Sequence, residues 1–558
     1  MKGATRRGGA LALALATMLF LFTLGASMVS MGMTALRRSR FDHLRAQALA
    51  LAHAGVEKAI YYLLHTAPDG SKDGSWRTTT PLVESVGDLG RYAITVRNGS
   101  GENRGKVVVE SIGTATQGAM QRERTLRVVL LVGAENVAAW NHVLFMGRGL
   151  EGASISGNST IRGNIHLLGD GEPYTDLDGD RRYDSGEPFS DDNRNGRWDL
   201  GESYLDLDQD GRYDAREPFD DLNGNGMWDG PLSRWQNVLS LTGNASIGNN
   251  YDGMSPLLRS LLVPPPVEYF GGEYVETLRA RFRVKHGRVS LSGSATIGWP
   301  DDPGGMPPVK ETMDGVYTGD GWAGRGGANV YSDNGKDADY DLPDDLVTFP
   351  ALTQPAKIGG VTYASWMDYY RQHALILDGD LTLTVGQSFG PVTDAEGNSL
   401  EVTPTGIVKV SGTVLIRGSL TFARGGGSRR TFTYLVSPLP GEKGATIVAE
   451  EDIVVDTSLL PAALFPTLQS LGLVARRELR LPDSSAQTQL IGIFYAQERI
   501  HLGKQAEIAG ALISNSLRVT NVPSLYHVPE LVHYLPPGMP GEPFRWAKSV
   551  RIDSYREM

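Results

Sequence analysis

The chain has 558 residues, 41% of them hydrophobic and none of them cysteine. Disulfide scaffolds and thiolate metal sites are therefore excluded, and wholesale disorder is not expected. The net charge of −11 is local: residues 169–230 hold 19 Asp and Glu against 6 Lys and Arg, a balance of −13, which leaves the remainder near neutral at +2.

The N-terminus is uncharged from Gly8 to Leu36, a run of 29 residues. That exceeds the roughly 20 residues a helix needs to cross a bilayer. Lys2, Arg6 and Arg7 precede it, so the positive-inside rule keeps the N-terminus cytoplasmic and exports the rest. A secretory signal cleaved near LGAS, around Gly25, is the alternative, but the apolar run continues well past that point. Residues 40–65 then place Leu44, Ala48, Leu51, Val56, Ile60 and Leu63 at helical spacing, so span and amphipathic helix read as one rod. Three strand-like runs follow, 91–96, 106–111 and 125–132, separated by turn residues.

A long half-apolar helix followed by a small antiparallel sheet resembles a type IV pilin, most closely the PilX-type minor pilins, over residues 1–133. The residues that carry this are RGGALALAL at the start, ALALAHAGVEKA at 48–59, and the strand that begins TLRV at 125. The resemblance implies cleavage by a prepilin peptidase after Gly8 or Gly9, and partners among other pilins and the inner membrane. Major pilins carry a glutamate five residues past the cleavage glycine, paired with the N-terminal amine of a neighbouring subunit. Here Leu13 or Ala14 stands at that place, and His53 replaces a frequent glutamate. The resemblance therefore implies a tip or initiating subunit.

Residues 171–230 contain four fifteen-residue blocks. The first three follow D-x-[DN]-x-[DN]-[GR]-x-[YW]-D-x-x-E, which is the oxygen-ligand spacing of an EF-hand loop, and the fourth follows it up to the last position. The first loop uses Asp176, Asp178, Asp180, Asp184 and Glu187; the second Asp191, Asn193, Asn195, Asp199 and Glu202; the third Asp206, Asp208, Asp210, Asp214 and Glu217. Backbone carbonyls would come from Arg182, Arg197 and Arg212. The fourth loop, with Asp221, Asn223, Asn225 and Asp229, meets Leu232 where its glutamate belongs. No flanking helices fit the period, so the segment resembles a thrombospondin-type Ca2+ array rather than a sensor. Ca2+ is the expected cofactor, and three ions would bring −13 to −7.

Downstream, short apolar alternations separated by Gly, Asn or Asp recur at 289–298, 374–385, 406–422, 444–456 and 500–519, and upstream at 150–169. They predict a mainly β fold: a β-solenoid, with a β-sandwich as runner-up. The expected domains are 1–36 leader and transmembrane helix, 37–66 its amphipathic continuation, and 67–133 a pilin-like sheet. A solenoid-like domain over 134–558 would carry the calcium insert at 169–232. A large solenoid on a pilin stem resembles the ComZ-type competence minor pilins, which are tied to DNA capture.

In 278–290, Arg279, Arg281, Arg283 and Lys285 alternate with Ala280, Phe282 and Val284. As a strand, all four cations face solvent, spaced for the phosphates of an extended nucleic acid. A second basic-aromatic patch holds Arg424, Arg429 and Arg430. A solvated strand face is the plain alternative for both. GDGWAG at 319–324 lacks the following helix of a nucleotide site, and HVPELVH at 527–533 has the wrong order for a zinc helix. No nucleophile motif is present, so an enzyme is not expected. Three functions remain: a pilus-tip subunit that displays a calcium-stabilised β domain for surface interaction, a DNA receptor for transformation, and a membrane-anchored carbohydrate-active β-helix.

Overall fold

The computed structural model describes residues 5–558 apart from 72–73, 101–102, 104, 119, 151–154, 170–236, 271, 286, 301–307, 320, 325–326, 344–345, 426–430, 483–487, 504 and 521, with backbone only over 5–12, 148–150, 237, 324 and 551. The chain forms two compact units, Met1–Glu135 with Trp546–Met558, and Asn136–Arg545. The protein is mainly β, with one long N-terminal helix.

In the first unit α1 runs unbroken from Thr5 to Leu64, with no proline to interrupt it. Four strands follow: β1 (Leu82–Val86), β2 (Gly90–Asn98), β3 (Val107–Gln117) and β4 (Met120–Asn136), each antiparallel to the one before. Alternate residues Tyr92, Ile94, Val96, Val107, Val109, Leu126, Val128 and Leu130 bury one face against Ala52, Val56, Ala59 and Leu63 of the helix. The approach is close enough to require glycine on both sides. A Cβ on Gly55 would lie 2.1 Å from Ser111 Oγ, and one on Gly113 would lie 2.0 Å from the Ala48 carbonyl oxygen.

The sheet has a fifth member that the sequence reading placed in the solenoid domain. The last strand, Trp546–Glu557, pairs with β4. Met558 N donates to Thr125 O, while Ser549 lies against Gly133, so the two strands run antiparallel. From this strand Tyr555 stacks on His53 of α1 and bonds its Nε2 at 2.9 Å. Lys548 Nζ donates to the Leu64 carbonyl at 2.7 Å and so satisfies the end of the helix. The expected boundary at 558 is therefore corrected to 545: the second unit is an insertion between two neighbouring strands of the first unit's sheet.

The second unit is a stack of parallel coils, which excludes the sandwich. One core position can be followed through ten strands in register: Leu375, Val414, Ile447, Leu473, Phe494, Leu512, Leu144, Ile165, Phe282 and Val316. All ten are buried. Identical registration of large apolar side chains is what holds such a stack, since each coil can cover its inner face only with the next. The order of the coils is not the order of the chain. It runs 375 to 527 and then 144 to 318, joined where Ala506–Val519 pairs with Leu144–Leu150. The chain thus enters in mid-stack, proceeds to one end, crosses back along the outside through 340–373, and returns to the middle from the other end. Its two ends meet there. Asn136 accepts from Arg545 N at 2.9 Å and donates to Pro543 O at 3.0 Å, and Val137 N donates to Arg545 O.

The crossing segment covers a row of side chains that point away from the coil interior. Leu415, Val448, Val474, Tyr495, Ile513, Phe145, His166 and Arg283 stand in register on that row, and each is at most 2% exposed. Tyr495 Oη donates to Pro350 O and Leu352 N donates to Gln497 Oε1, tying the crossing segment to the stack.

Candidate functional site

Three features carried functional expectations, and the structure places them differently. Along α1 the large apolar side chains between Leu13 and Leu36 are exposed, Phe22 at 77% and Leu13 at 73%, whereas Leu44, Ala48 and Ala52 are completely buried. The helix is long and apolar enough to cross a membrane. Its few hydroxyls suit that setting: Thr23 and Thr34 donate to the Phe20 and Ser30 carbonyls at 2.9 and 2.8 Å, and Thr17 does the same to Leu13. Gly8 and Gly9 lie in the helix, within the part described by backbone alone.

The acidic array, Asp176 through Asp229 with its three full loops, lies outside the described residues. Its donor set is oxygen only, as a hard cation such as Ca2+ requires. Among the described residues no group of three metal-ligating side chains occurs.

The basic strand is revised. Strand geometry covers Arg281–Val284, with Phe282 and Val284 facing the coil interior as expected. Arg283 points the opposite way, yet only 2% of it is exposed. It lies in the covered row, where its Nε and Nη2 donate to Asp341 Oδ1 and Oδ2 at 2.7 and 2.8 Å and its guanidinium stacks 5.0 Å from the Tyr317 ring. Beside it His166 is fully buried and bonded to Tyr340 Oη at 2.8 Å. Burial holds this imidazole well below its ordinary pKa, and the neighbouring His142 and Arg283 push the same way. Arg279 lies outside the strand at φ +53° and is ion-paired with Glu268. Arg281 and Lys285 remain half exposed. The four cations therefore do not form one solvent-facing ladder. Arg424 donates to Asp456 O at 2.6 Å, and Arg429 and Arg430 lie outside the described residues.

The two sequence decoys resolve into ordinary structure. Trp322–Gly324 of GDGWAG is a strand paired with Val289–Leu291. His527 is fully buried, and burial drives its pKa down to about 3, while His533 is exposed and lies against Phe544 with the two rings tilted by 50°. The two histidines face different surroundings and do not converge on a metal.

No family model matches the chain, and no curated protein matches it. Among solved structures, the crystal structure of the competence-associated pilin ComZ from Thermus thermophilus is similar to it. The identity is 16% and the TM-score 0.42, over 92% of this chain and 98% of that one.

Proposed function

We propose that this chain is a pilin-like subunit of a type IV pilus, held in the inner membrane by the first half of α1 before assembly and carried at the filament tip afterwards. The observation that supports this most is the division of one helix. Residues 44–63 pack on an antiparallel sheet, while 13–36 present apolar side chains on every side and need lipid or other helices to cover them. Leu13 and Ala14, both neutral, fit a minor or initiating subunit that caps a filament and has no neighbour beyond it to pair with. In this reading the second unit is the displayed part, and Ca2+ ions bound by the 169–232 array order that insert by neutralising charges that otherwise repel one another.

The reading is tested by expressing the full chain with a pilus assembly system and its prepilin peptidase. Mass spectrometry of the mature N-terminus is expected to show cleavage after Gly8 or Gly9, and the protein should co-purify with sheared filaments in small amounts. A mature start beyond Ser27 would mark a secretory signal and overturn it.

A further inference from the structure

Where the uncharged run of α1 ends, arginines follow at once: Arg37, Arg38, Arg40 and Arg45, with Asp42 as the one carboxylate among them. All of these side chains are exposed. Arg37, Phe41, Leu44 and Ala48 fall on one face of the helix, and Leu44 and Ala48 are buried beside Ala115 and Met120 of the sheet. Arg38 and Arg45 flank Phe41 on the same side. A further arginine arrives from the sheet: the Arg122 guanidinium of β4 lies 4.5 Å from the centre of the Phe41 ring. Other cations of this unit are paired, Arg97 and Arg127 with Glu110, Lys106 with Asp553, and Arg124 with Glu557. Arg37, Arg38, Arg40 and Arg45 make no ion pair among the described residues.

We propose that Arg37, Arg38, Arg45 and Arg122 bind the phosphates of anionic phospholipids in the leaflet away from the cytoplasm. Helix length sets the level. Arg7 and Arg37 stand thirty residues apart on one unbroken helix, a rise of about 45 Å at about 1.5 Å per residue. A bilayer with its headgroup layers measures about 40–45 Å. With Arg7 in one headgroup layer before processing, Arg37 therefore lies in the other, and Arg45 stands about 12 Å further out. Two features favour lipid phosphate over plain solvent. Cations are kept few on the exported flank of a span, so a cluster there needs an offsetting gain. Every cation in this one is arginine, whose planar fork bonds two phosphate oxygens at once where lysine offers a point charge. The proposal rests on the membrane reading of α1, which names the leaflet.

The experiment reconstitutes the full chain in phosphatidylcholine vesicles that carry spin-labelled phosphatidylglycerol or spin-labelled phosphatidylcholine. The motionally restricted fraction gives the relative affinity of each lipid. Phosphatidylglycerol is expected to be held about fivefold or more tightly than phosphatidylcholine at low salt. The quadruple variant R37S/R38S/R45S/R122S should lose most of that preference, and about 0.5 M salt should remove it from the parent. Because the four side chains are exposed, circular dichroism should not change. Carbonate extraction of the same vesicles reads insertion separately. A chain that washes off fails the membrane reading and takes this proposal with it, whereas an inserted chain with equal affinity for both lipids overturns the proposal alone. A quadruple variant that keeps the parent's preference also overturns it, and if that variant drops out of sheared filaments the arginines serve a neighbouring subunit's carboxylates instead.

Discussion

Two stretches of one helix meet opposite fates: 13–36 is uncharged throughout, while 44–63 carries Arg45, Glu57 and Lys58 among its apolar residues. Residues 13–36 are bare, while the apolar residues of 44–63 are sunk into a sheet. The difference lies in this pattern and in what the rest of the chain supplies to cover it. Only the second stretch has strands of matching alternation to cover it, and only there does the backbone approach tightly enough to demand glycine. A helix in water needs a partner for its apolar face, and the first stretch is left to find its partner in another molecule.

The largest expected effect breaks that contrast at its glycines. Gly55→Leu drives a side chain into Ser111 and Tyr92, and should cost the first unit about 3 kcal/mol or more in chemical denaturation. Gly25→Leu meets nothing within 4 Å and should leave stability unchanged or raise it by about 0.5–1 kcal/mol through helix propensity. Equal effects at the two sites would mean the halves do not differ as described.

The second unit repeats the contrast between covered and open rows of one strand. Asp341→Asn leaves Arg283 charged in a buried row and should destabilise the solenoid by about 3–5 kcal/mol, read as a lower denaturation midpoint. Replacing both partners, as in R283M/D341L, should recover most of that loss; if it does not, the ion pair is not what holds the crossing segment there.

Calcium sharpens the comparison at the insert. Titration of the isolated 171–230 segment should show at least three sites. Each site coupled to folding should add about 2.7 kcal/mol to the segment's stability at a hundredfold excess over Kd, reversed by a chelator. Fewer than two sites by calorimetry would end the array reading.

The smallest effect concerns nucleic acid. Arg283 is buried against Asp341 and Arg279 is paired with Glu268, whereas Arg281 and Lys285 are half exposed, so at most these two of the four can reach phosphates without a pair being broken. Any binding of single strands should therefore change by about 1.4 units of log–log salt slope in R281S/K285S, about 0.7 per contact. A change near three units in the quadruple variant R279S/R281S/R283S/K285S, about 0.7 for each of four contacts, would restore the full ladder.

Much of the local structure was legible. Helical spacing from Leu44 to Leu63 and period-two alternation at 91–96 or 444–456 are short-range signals, and each element stands where they put it. The strand containing Arg283 was also read in the correct phase, with Phe282 and Val284 inward. What failed there was exposure, because Asp341 lies 58 residues away and no periodicity announces a segment that returns across the outside of a stack.

The amino-acid sequence by itself determined the elements of this protein: an uncharged run too long for anything but a span or a leader, an amphipathic helix, and many short strands with glycine turns. Those follow from chemistry within a few residues. The tertiary structure alone decided how they are joined, because the joining contacts are made across hundreds of residues. It placed the last strand beside β4, so that the solenoid interrupts a sheet rather than following it. It also stacked coil 375–527 before coil 144–318, since parallel coils match by inner-face register and not by chain order. An apolar row can pair with any other apolar row of the same period, and only closure of the whole stack selects one.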